Sequence, residues 1–406
     1  MTINGGVIHH NSNIETYHNH TQAGALAGYN GAKIIINDGD IHHNQANGAS
    51  VYIGSVDSNV SSISVRESGE KVEDELKEYE EKYKLATLEL NGGKIRDNKK
   101  PYTQKYSGGW RQDTNGTGGV YVYGNAKFTM NAGEISNNVT PGHGGAVLTY
   151  DGYTEGLDKK YFAKTSIERW SEVFPAKFIM NGGMIKNNKA GSLGGGIYIA
   201  NLNSELNAGL IQGNEAGLQG GGVYVASVPY VLKVRNAFIG HNEATGSYSL
   251  SPIIINGSQF FMTNGSGGGA WFCPTGDAKF FAENGAFFYE NSAEAAADEF
   301  KSEIKEKEDE EVLYFATLPS RLPNGSKIDW VKDGYPDRYD ENNPIFQEVL
   351  KNIEDNVSLK VINTEKNEEV IKSFASLFVI GNKSNRGGGF GSNGSIIFGD
   401  NENPLK

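Results

Sequence analysis

Histidine pairs near the start of the chain have a spacing that could bind a metal ion. The tetrapeptide IHHN occurs at residues 8–11 and again at residues 41–44. Stacked as neighbouring strands, these segments would bring four imidazoles close enough to hold zinc or nickel. His18 and His20 follow nearby. The matching positions of later repeats hold RD, SN and QG, which are typical surface residues. The sequence therefore predicts no metal ligand and no cofactor.

A second set of residues could take part in polysaccharide cleavage. Gly142–Gly144 read GHG, which resembles part of a pectin-hydrolase signature. An inverting glycosidase needs two carboxyl groups about 6.5–9.5 Å apart, and no repeated position presents acids in neighbouring repeats. Cys273 has no histidine at an equivalent place, so we expect a packed thiol rather than a nucleophile. The sequence thus predicts no catalytic residue, with a polysaccharide lyase or glycoside hydrolase as the alternative.

Large aromatic residues are concentrated in long segments between the repeats. Tyr153, Tyr161 and Trp170 lie in one such segment, and Trp110 lies in another. Aromatic rings on loops can stack on sugars or grip a peptide, but they can equally pin their own loop to the protein. We predict that these four residues bind a ligand, with Trp170 as the anchor.

Short repeated elements lie between these segments. One places glycines before an apolar run, as in GGGIYIA at 194–200 and GGGVYVA at 220–226. Another reads FTMNAGEI at 128–135 and FIMNGGMI at 178–185. A third ends in asparagine, at Asn11, Asn44, Asn98, Asn138, Asn188, Asn214, Asn242, Asn291 and Asn382. Three short strands and three turns fill the shortest period, which predicts an all-β fold, a right-handed parallel β-helix.

The combination F-x-M-N-G-G-x-I-x-x-N with G-G-G-V-Y-V resembles the β-helix repeats of Gram-positive cell-surface adhesin-like proteins. The run NKSNRGGGFGSNGSIIFG at 382–399 is similar to their final coils. The resemblance implies an extracellular, wall-anchored protein. On this basis we predict a non-enzymatic module that presents ligand-binding loops to a host surface glycan or protein. A structural stalk without a ligand is the remaining alternative.

The composition and net charge of the chain exclude several classes of partner and of structural feature. The net charge of −12 argues against nucleic acid or an anionic membrane as partner. A single cysteine excludes an intrachain disulfide. No apolar run approaches the ~18 residues of a membrane span. The N-terminal MTINGGVIHHN lacks a signal-peptide pattern and begins within a repeat, so we expect a portion of a longer protein.

We predict a single β-helix domain over residues 1–406, interrupted by insertions. The insertions lie at about 55–84, 99–116, 151–175, 245–264 and 299–375. Residues 70–84 carry apolar side chains at helical spacing, which predicts a short amphipathic helix. The insertions at 55–84, 151–175 and 299–375 are expected to leave the rod at one corner and to form the ligand site there.

Side-chain alternation along the strands predicts which residues face the core and which face outward. Val120 and Val122 should point inward and Tyr121 outward. The outward aromatic residues should form a strip partly covered by residues 151–175, with Val147 interrupting it; they are Tyr52, Tyr121, Tyr198, Tyr224 and Trp271. The repeated asparagines should form one hydrogen-bonded ladder, which includes Asn98, Asn138, Asn188, Asn214 and Asn242.

Overall fold

A computed structural model of the chain provides the structure. It describes residues 1–14, 23–55, 81, 84–101, 104–106, 109–111, 116–151, 176–201, 204–226, 231–235 and 237–246. Further on it describes 253–255, 258–260, 267–272, 277–280, 287–289, 291–293, 305–307, 310–312, 378–380, 383–384, 390–392 and 396–398.

The described residues form short β-strands, most of them apolar or β-branched and bounded by glycine or asparagine. The first strands are β1 Thr2–His9, β2 Ser12–Asn13, β3 Ala23–Tyr29, β4 Lys33–His42, β5 Gln45–Ala46, β6 Ala49–Gly54, β7 Ala86–Leu90, β8 Lys94–Arg96, β9 Gln104–Tyr106, β10 Gly109–Arg111, β11 Val120–Tyr123, β12 Ala126–Met130, β13 Glu134–Ser136, β14 Val139–Thr140, β15 Val147–Tyr150, β16 Lys177–Met180, β17 Met184–Lys186, β18 Lys189–Ala190 and β19 Ile197–Ala200. The remaining strands are β20 Ser204–Leu206, β21 Leu210–Gln212, β22 Glu215–Ala216, β23 Val223–Val225, β24 Val231–Val234, β25 Phe238–Gly240, β26 Glu243–Ala244, β27 Ile253–Ile255, β28 Ser258–Phe260, β29 Ala270–Phe272, β30 Asp277–Phe280, β31 Phe287–Tyr289, β32 Ser292–Ala293, β33 Lys305–Lys307, β34 Glu310–Val312, β35 Phe378–Ile380, β36 Lys383–Ser384, β37 Phe390–Ser392 and β38 Ile396–Phe398.

The strands stack in four parallel columns, and each passage of the chain through the columns is one rung. Column 1 contains β7, β12, β16, β20, β24, β30 and β38, and column 2 contains β8, β13, β17, β21, β25, β31 and β35. The long strands β1 and β4 supply the first two rungs of both columns. Column 3 contains β2 and β5, then β14, β18, β22, β26, β32 and β36. Column 4 contains β3, β6, β11, β15, β19, β23, β29 and β37. The fold is therefore all-β and solenoid-like.

The core lies between the columns and is built from alternate residues of each strand. Phe128 of β12 stacks on Phe178 of β16 with ring centroids 5.0 Å apart, and both rings are fully buried. Val120 and Val122 belong to the same core cluster, whereas Tyr121 belongs to a separate one outside it. This burial agrees with the predicted alternation of inward and outward residues.

The register of β15 differs from the prediction at one position. Val147 pairs with Val120, and Leu148 pairs with Tyr121. Leu148, not Val147, therefore interrupts the outward column. Ala146 takes the place of the third glycine of the repeat, since its N–H donates to the Gly196 carbonyl.

The glycine runs allow neighbouring rungs to approach closely. Gly194 and Gly220 have φ of +66° and +67°, which glycine adopts with little strain. At Gly195 and Gly221 a Cβ would collide with the backbone of the next rung. Both a left-handed turn and close backbone contact therefore require glycine ahead of column 4.

The predicted helix at 70–84 lies almost wholly outside the described residues, where Glu81 is helical and Lys84 is not. In the ranges that the structure describes, no helix has the length and apolar character needed to cross a membrane.

An asparagine ladder runs inside the turn between columns 2 and 3, and we call it the inner ladder. Each side-chain amide donates to the carboxamide oxygen of the next rung at 2.9–3.0 Å. Most members also donate to a strand carbonyl of the preceding rung. The members are Asn11, Asn44, Asn98, Asn138, Asn188, Asn214, Asn242 and Asn291, and all but Asn11 are buried. Asn382 lies outside the described residues.

A second, outer ladder occupies the turn between columns 1 and 2. Here each side-chain amide donates to the carboxamide oxygen of the asparagine on the preceding rung, at 2.8–3.0 Å. In the inner ladder the corresponding amides donate to the next rung. Its members are Asn4, Asn37, Asn91, Asn131, Asn181 and Asn207. The outer ladder is solvent-accessible, so it can exchange its bonds with water more easily than the inner ladder can.

Candidate functional site: the face of column 4

Column 4 is bordered by the two turns of the rung that vary most in length. The turn from column 4 to column 1, here the 4–1 turn, contains only Gly124 and Asn125 between β11 and β12. In the rung before it the connection spans residues 55–85, and in the rung after it the connection spans residues 151–176. Two insertions therefore leave from the same turn, on either side of a rung with a short one.

The turn from column 3 to column 4, the 3–4 turn, carries the insertions at 99–116 and 245–264. It spans six residues in three rungs, at 141–146, 191–196 and 217–222. In the rungs with longer connections here it includes antiparallel hairpins, β9–β10 and β27–β28.

The 299–375 insertion begins after β32 and ends before β35. The last column strand described before it is β32 of column 3, and the hairpin β33–β34 follows. The next column strand described after it is β35 of column 2, and most residues between β32 and β35 lie outside the described ones, so the expected shared turn with 55–84 and 151–175 stays a prediction. The insertions at 55–84, 99–116, 151–175 and 245–264 border one end or the other of column 4.

The outward side chains of column 4 form an aromatic strip between these two turns. Tyr52 contacts Tyr121 edge-on, with ring centroids 5.6 Å apart. Although the strip points away from the core, Tyr52, Tyr121, Tyr224 and Trp271 are buried, and only Tyr198 is partly exposed. The strip is therefore covered along most of its length, as a bare apolar strip of this size would favour aggregation.

The partly exposed ring of the strip, Tyr198, belongs to a stack of three rings. His143, in the 3–4 turn, stacks on Tyr198 with centroids 4.8 Å apart and planes 10° apart. Tyr198 stacks on Tyr224 at 5.3 Å and 6°. The Leu193 N–H donates to His143 Nδ1 at 3.3 Å. Burial lowers the pKa of His143 from 6.5 to about 4, so the ring is neutral at pH 7. A neutral, stacked platform of this kind suits apolar faces of sugars or aromatic side chains.

Four predicted ligand-binding residues belong to the segments that border this strip. Tyr153, Tyr161 and Trp170 lie outside the described residues. Trp110 is in β10, whose backbone pairs antiparallel with β9 in the 3–4 turn. The structure therefore places Trp110 on a hairpin at the edge of column 4.

Several carboxylates on the described surface are ion-paired. Contrary to the expectation that no repeated position presents acids in neighbouring repeats, Glu215 and Glu243 are aligned on neighbouring rungs of column 3, and Glu215 pairs with Lys189. Burial alone would raise the pKa of Glu134, but hydrogen bonds from Ser136 and Lys186 lower it below its usual range. Glu205 has a lowered pKa for the same reasons, with Lys177 as the main donor. A general acid for glycoside cleavage needs a raised pKa instead. In the described ranges, no three or more His, Cys, Asp or Glu side chains converge to hold a metal ion.

In the sequence, His143 is singled out only as part of the GHG stretch at Gly142–Gly144 and is not placed beside Tyr198. The signal was present in the repeat itself. The 3–4 turn spans six residues in the rung of His143 and in the two rungs after it, and His143, its third residue, stacks on the outward residue Tyr198 of the following rung.

Comparison with protein-family models, with curated proteins and with solved structures gave no match to this chain.

Proposed function

We propose that this chain is a non-enzymatic, adhesin-like module of an extracellular cell surface, built on a right-handed parallel β-helix. Its ligand-binding surface lies over column 4, and its partner is a host surface glycan or protein. A right hand is the sense that parallel crossover connections strongly favour.

The observation that carries this proposal is the placement of the insertions. Four of them border column 4 at one of its two ends, while the turns that join column 1 to column 2 keep a length of three residues from β7–β8 to β24–β25. Loops that leave a rigid scaffold from adjacent turns can form one concave surface, and binding residues are often found on such loops.

The chemistry of column 4 supports a stacking ligand. Tyr198 is a partly exposed aromatic ring held in a stack with His143 and Tyr224. Trp110 and Trp170 belong to segments on opposite ends of column 4. Aromatic rings presented by a rigid frame lose little conformational entropy on binding, which suits recognition of sugars and peptides. The described carboxylates with shifted pKa values are ion-paired, which favours binding over acid catalysis.

A binding experiment with two aromatic variants tests the proposal. A glycan array and host-cell adhesion would identify a ligand for the unmodified chain, and titration would then give its Kd. Trp170→Ala and Tyr198→Ala should each weaken binding, by about 30-fold for a hot spot worth about 2 kcal/mol. The melting temperature of Trp170→Ala should stay close to that of the unmodified chain.

Lys127→Ala is the matched control, because Lys127 lies on the outward side of β12 in column 1. It should leave Kd unchanged. The proposal fails if Lys127→Ala weakens binding as much as the aromatic variants do. It also fails if both aromatic variants bind normally, or if the chain cleaves a polysaccharide in a degradation panel.

A further inference from the structure

The residue before each inner-ladder asparagine from Asn11 to Asn242 has a left-handed backbone. Its φ lies between +52° and +57° at the non-glycine positions His10, His43, Asp97, Asn137, Asn187 and His241. Gly213 occupies the same place with φ of +64°. Asparagine, aspartate, histidine and glycine are the residues that tolerate this conformation best. The position is therefore a fixed turn, and its residue type is restricted by the backbone.

This turn changes the direction of two consecutive side chains. In a regular strand, neighbouring side chains point to opposite faces. Because His10 is left-handed, its imidazole lies on the same side as that of His9, with the two Nδ1 atoms 2.6 Å apart. His42 and His43 repeat the arrangement on the next rung at 2.7 Å. Each of these two rungs thus presents a pair of facing ring nitrogens.

The two pairs lie in register on the surface. His9 stacks on His42 with centroids 5.1 Å apart and planes 8° apart, and His10 stacks on His43 at 5.1 Å and 6°. His9, His10 and His43 are exposed, and His42 is partly buried. At this separation the four nitrogens do not meet at one point, so each rung offers its own two-nitrogen site.

We propose that each of these histidine pairs is a two-nitrogen site for a divalent transition-metal ion of the copper, nickel and zinc class. Imidazole nitrogen is a preferred ligand for all three ions. A nitrogen–metal distance of about 2.0–2.1 Å places two adjacent ligands about 3 Å apart, which a small rotation of the rings achieves. Water completes the coordination.

Each histidine pair can bind a metal ion through both Nδ1 atoms without losing a proton. Two ring nitrogens at 2.6–2.7 Å must share a proton, so one Nδ1 donates to the other. When the metal binds both Nδ1 atoms, the donor ring takes its Nε2–H tautomer and no proton is lost.

The neighbouring charges do not oppose a cation. Arg96 follows His42 in the same column of β4 and β8, but it pairs with Asp40 at 2.7 Å and with Asp97 at 2.5 Å. Two carboxylates and one guanidinium leave a net negative charge beside the second pair. The first ion bound should therefore be the tighter one, since a second ion on the adjacent rung would repel it.

Titration of the full chain with Cu²⁺, Ni²⁺ and Zn²⁺ tests the site, with calorimetry for affinity and electron paramagnetic resonance of Cu²⁺ for nitrogen ligation. The double variant His10→Asn with His43→Asn removes one ligand from each pair. It keeps the backbone, because asparagine occupies this position at Asn137 and Asn187. We expect affinity to fall at least tenfold, since even indirect partners of metal ligands have effects of about that size.

The matched control is His241→Asn. His241 occupies the same left-handed position, with φ of +52°, but Gly240 precedes it, so that rung has no histidine pair. The control should bind metal as the unmodified chain does, with an unchanged nitrogen signal. The proposal is overturned if the double variant binds normally while its melting temperature is unchanged. It is equally overturned if His241→Asn has the same effect, or if His18→Gln with His20→Gln alone abolishes binding.

Discussion

Replacing one asparagine of the inner ladder should destabilise the whole solenoid, and Asn188→Ala is the most informative change. The Asn188 side chain accepts from the N–H and from the amide of Asn138, both at 3.0 Å. Its own amide is 3.0 Å from the carbonyl oxygens of Ile135 and Lys186 and from the carboxamide oxygen of Asn214. All of these bonds are removed together by truncation to alanine.

The size of the effect follows from burial. Asn188 and Asn138 are both fully buried, so the Asn138 N–H has no route to bulk water once its partner is gone. An orphaned buried donor costs about 1–3 kcal/mol, and each further lost bond about 0.5–1.5 kcal/mol net. We therefore expect a loss of about 3 kcal/mol or more in the free energy of unfolding, measured by urea titration with circular dichroism.

Asn181→Ala supplies the matched control on the same rung. Asn181 also holds two ladder bonds, to Asn131 at 2.9 Å and from Asn207 at 3.0 Å, but its side chain is exposed. Its partners can turn to water, so the loss should stay below about 1 kcal/mol. Equal losses from Asn188→Ala and Asn181→Ala would refute the reasoning, because Asn188 is buried and makes five hydrogen bonds, whereas Asn181 is exposed and makes two.

Three further outcomes are expected. Gly195→Ala should lower the free energy of unfolding by about 1–3 kcal/mol, because a Cβ there would collide with the backbone of Gly221 and Glu215; an unchanged urea midpoint would contradict this. Stability should fall as the pH drops from about 6.5 to about 4, because the lowered pKa of His143 lets the unfolded chain bind a proton before the folded chain does. The contribution of neutral His143 to the free energy of unfolding is fully present above the unfolded pKa and amounts to up to about 3 kcal/mol. Denaturation at pH 7 and pH 4.5 should show that His143→Phe lacks this pH dependence. Tyr52→Phe should cost about 1 kcal/mol, since the buried hydroxyl donates to the Ser55 carbonyl at 2.7 Å; a melting temperature equal to that of the unmodified chain would count against it.

The inward column and the inner asparagines could be read from the sequence because both recur with the rung. Val120 and Val122 alternate with Tyr121, and Asn188 and Asn214 are separated by one short rung. The error at Val147 arose where the repeat varies. Residue 146 is alanine where other rungs have glycine, so an alignment that starts from the last glycine is displaced by one residue.

Other features could not be predicted because they depend on backbone conformation and on long-range pairing. Asn131 and Asn181 recur in the elements FTMNAGEI and FIMNGGMI, and nothing in those elements distinguishes a hydrogen-bonded asparagine from a turn residue. The pair at His42 and His43 looked like a variable surface dipeptide, because the left-handed φ of the second residue is a property of the turn.

The scaffold can accept long insertions beside column 4 because backbone hydrogen bonds to the neighbouring rung hold the chain on both sides of each insertion. The chain leaves at Ser55, whose N–H donates to Tyr123, and returns at Ala86, whose N–H donates to Asn125. Around the second insertion, Ala176 donates to Gly124, which also lies in the short turn. Lengthening a loop from about two to about 30 residues costs only about 2–3 kcal/mol of closure entropy. One buried asparagine of the inner ladder offsets a cost of that size, so the 4–1 turn can vary while the register of the columns stays fixed.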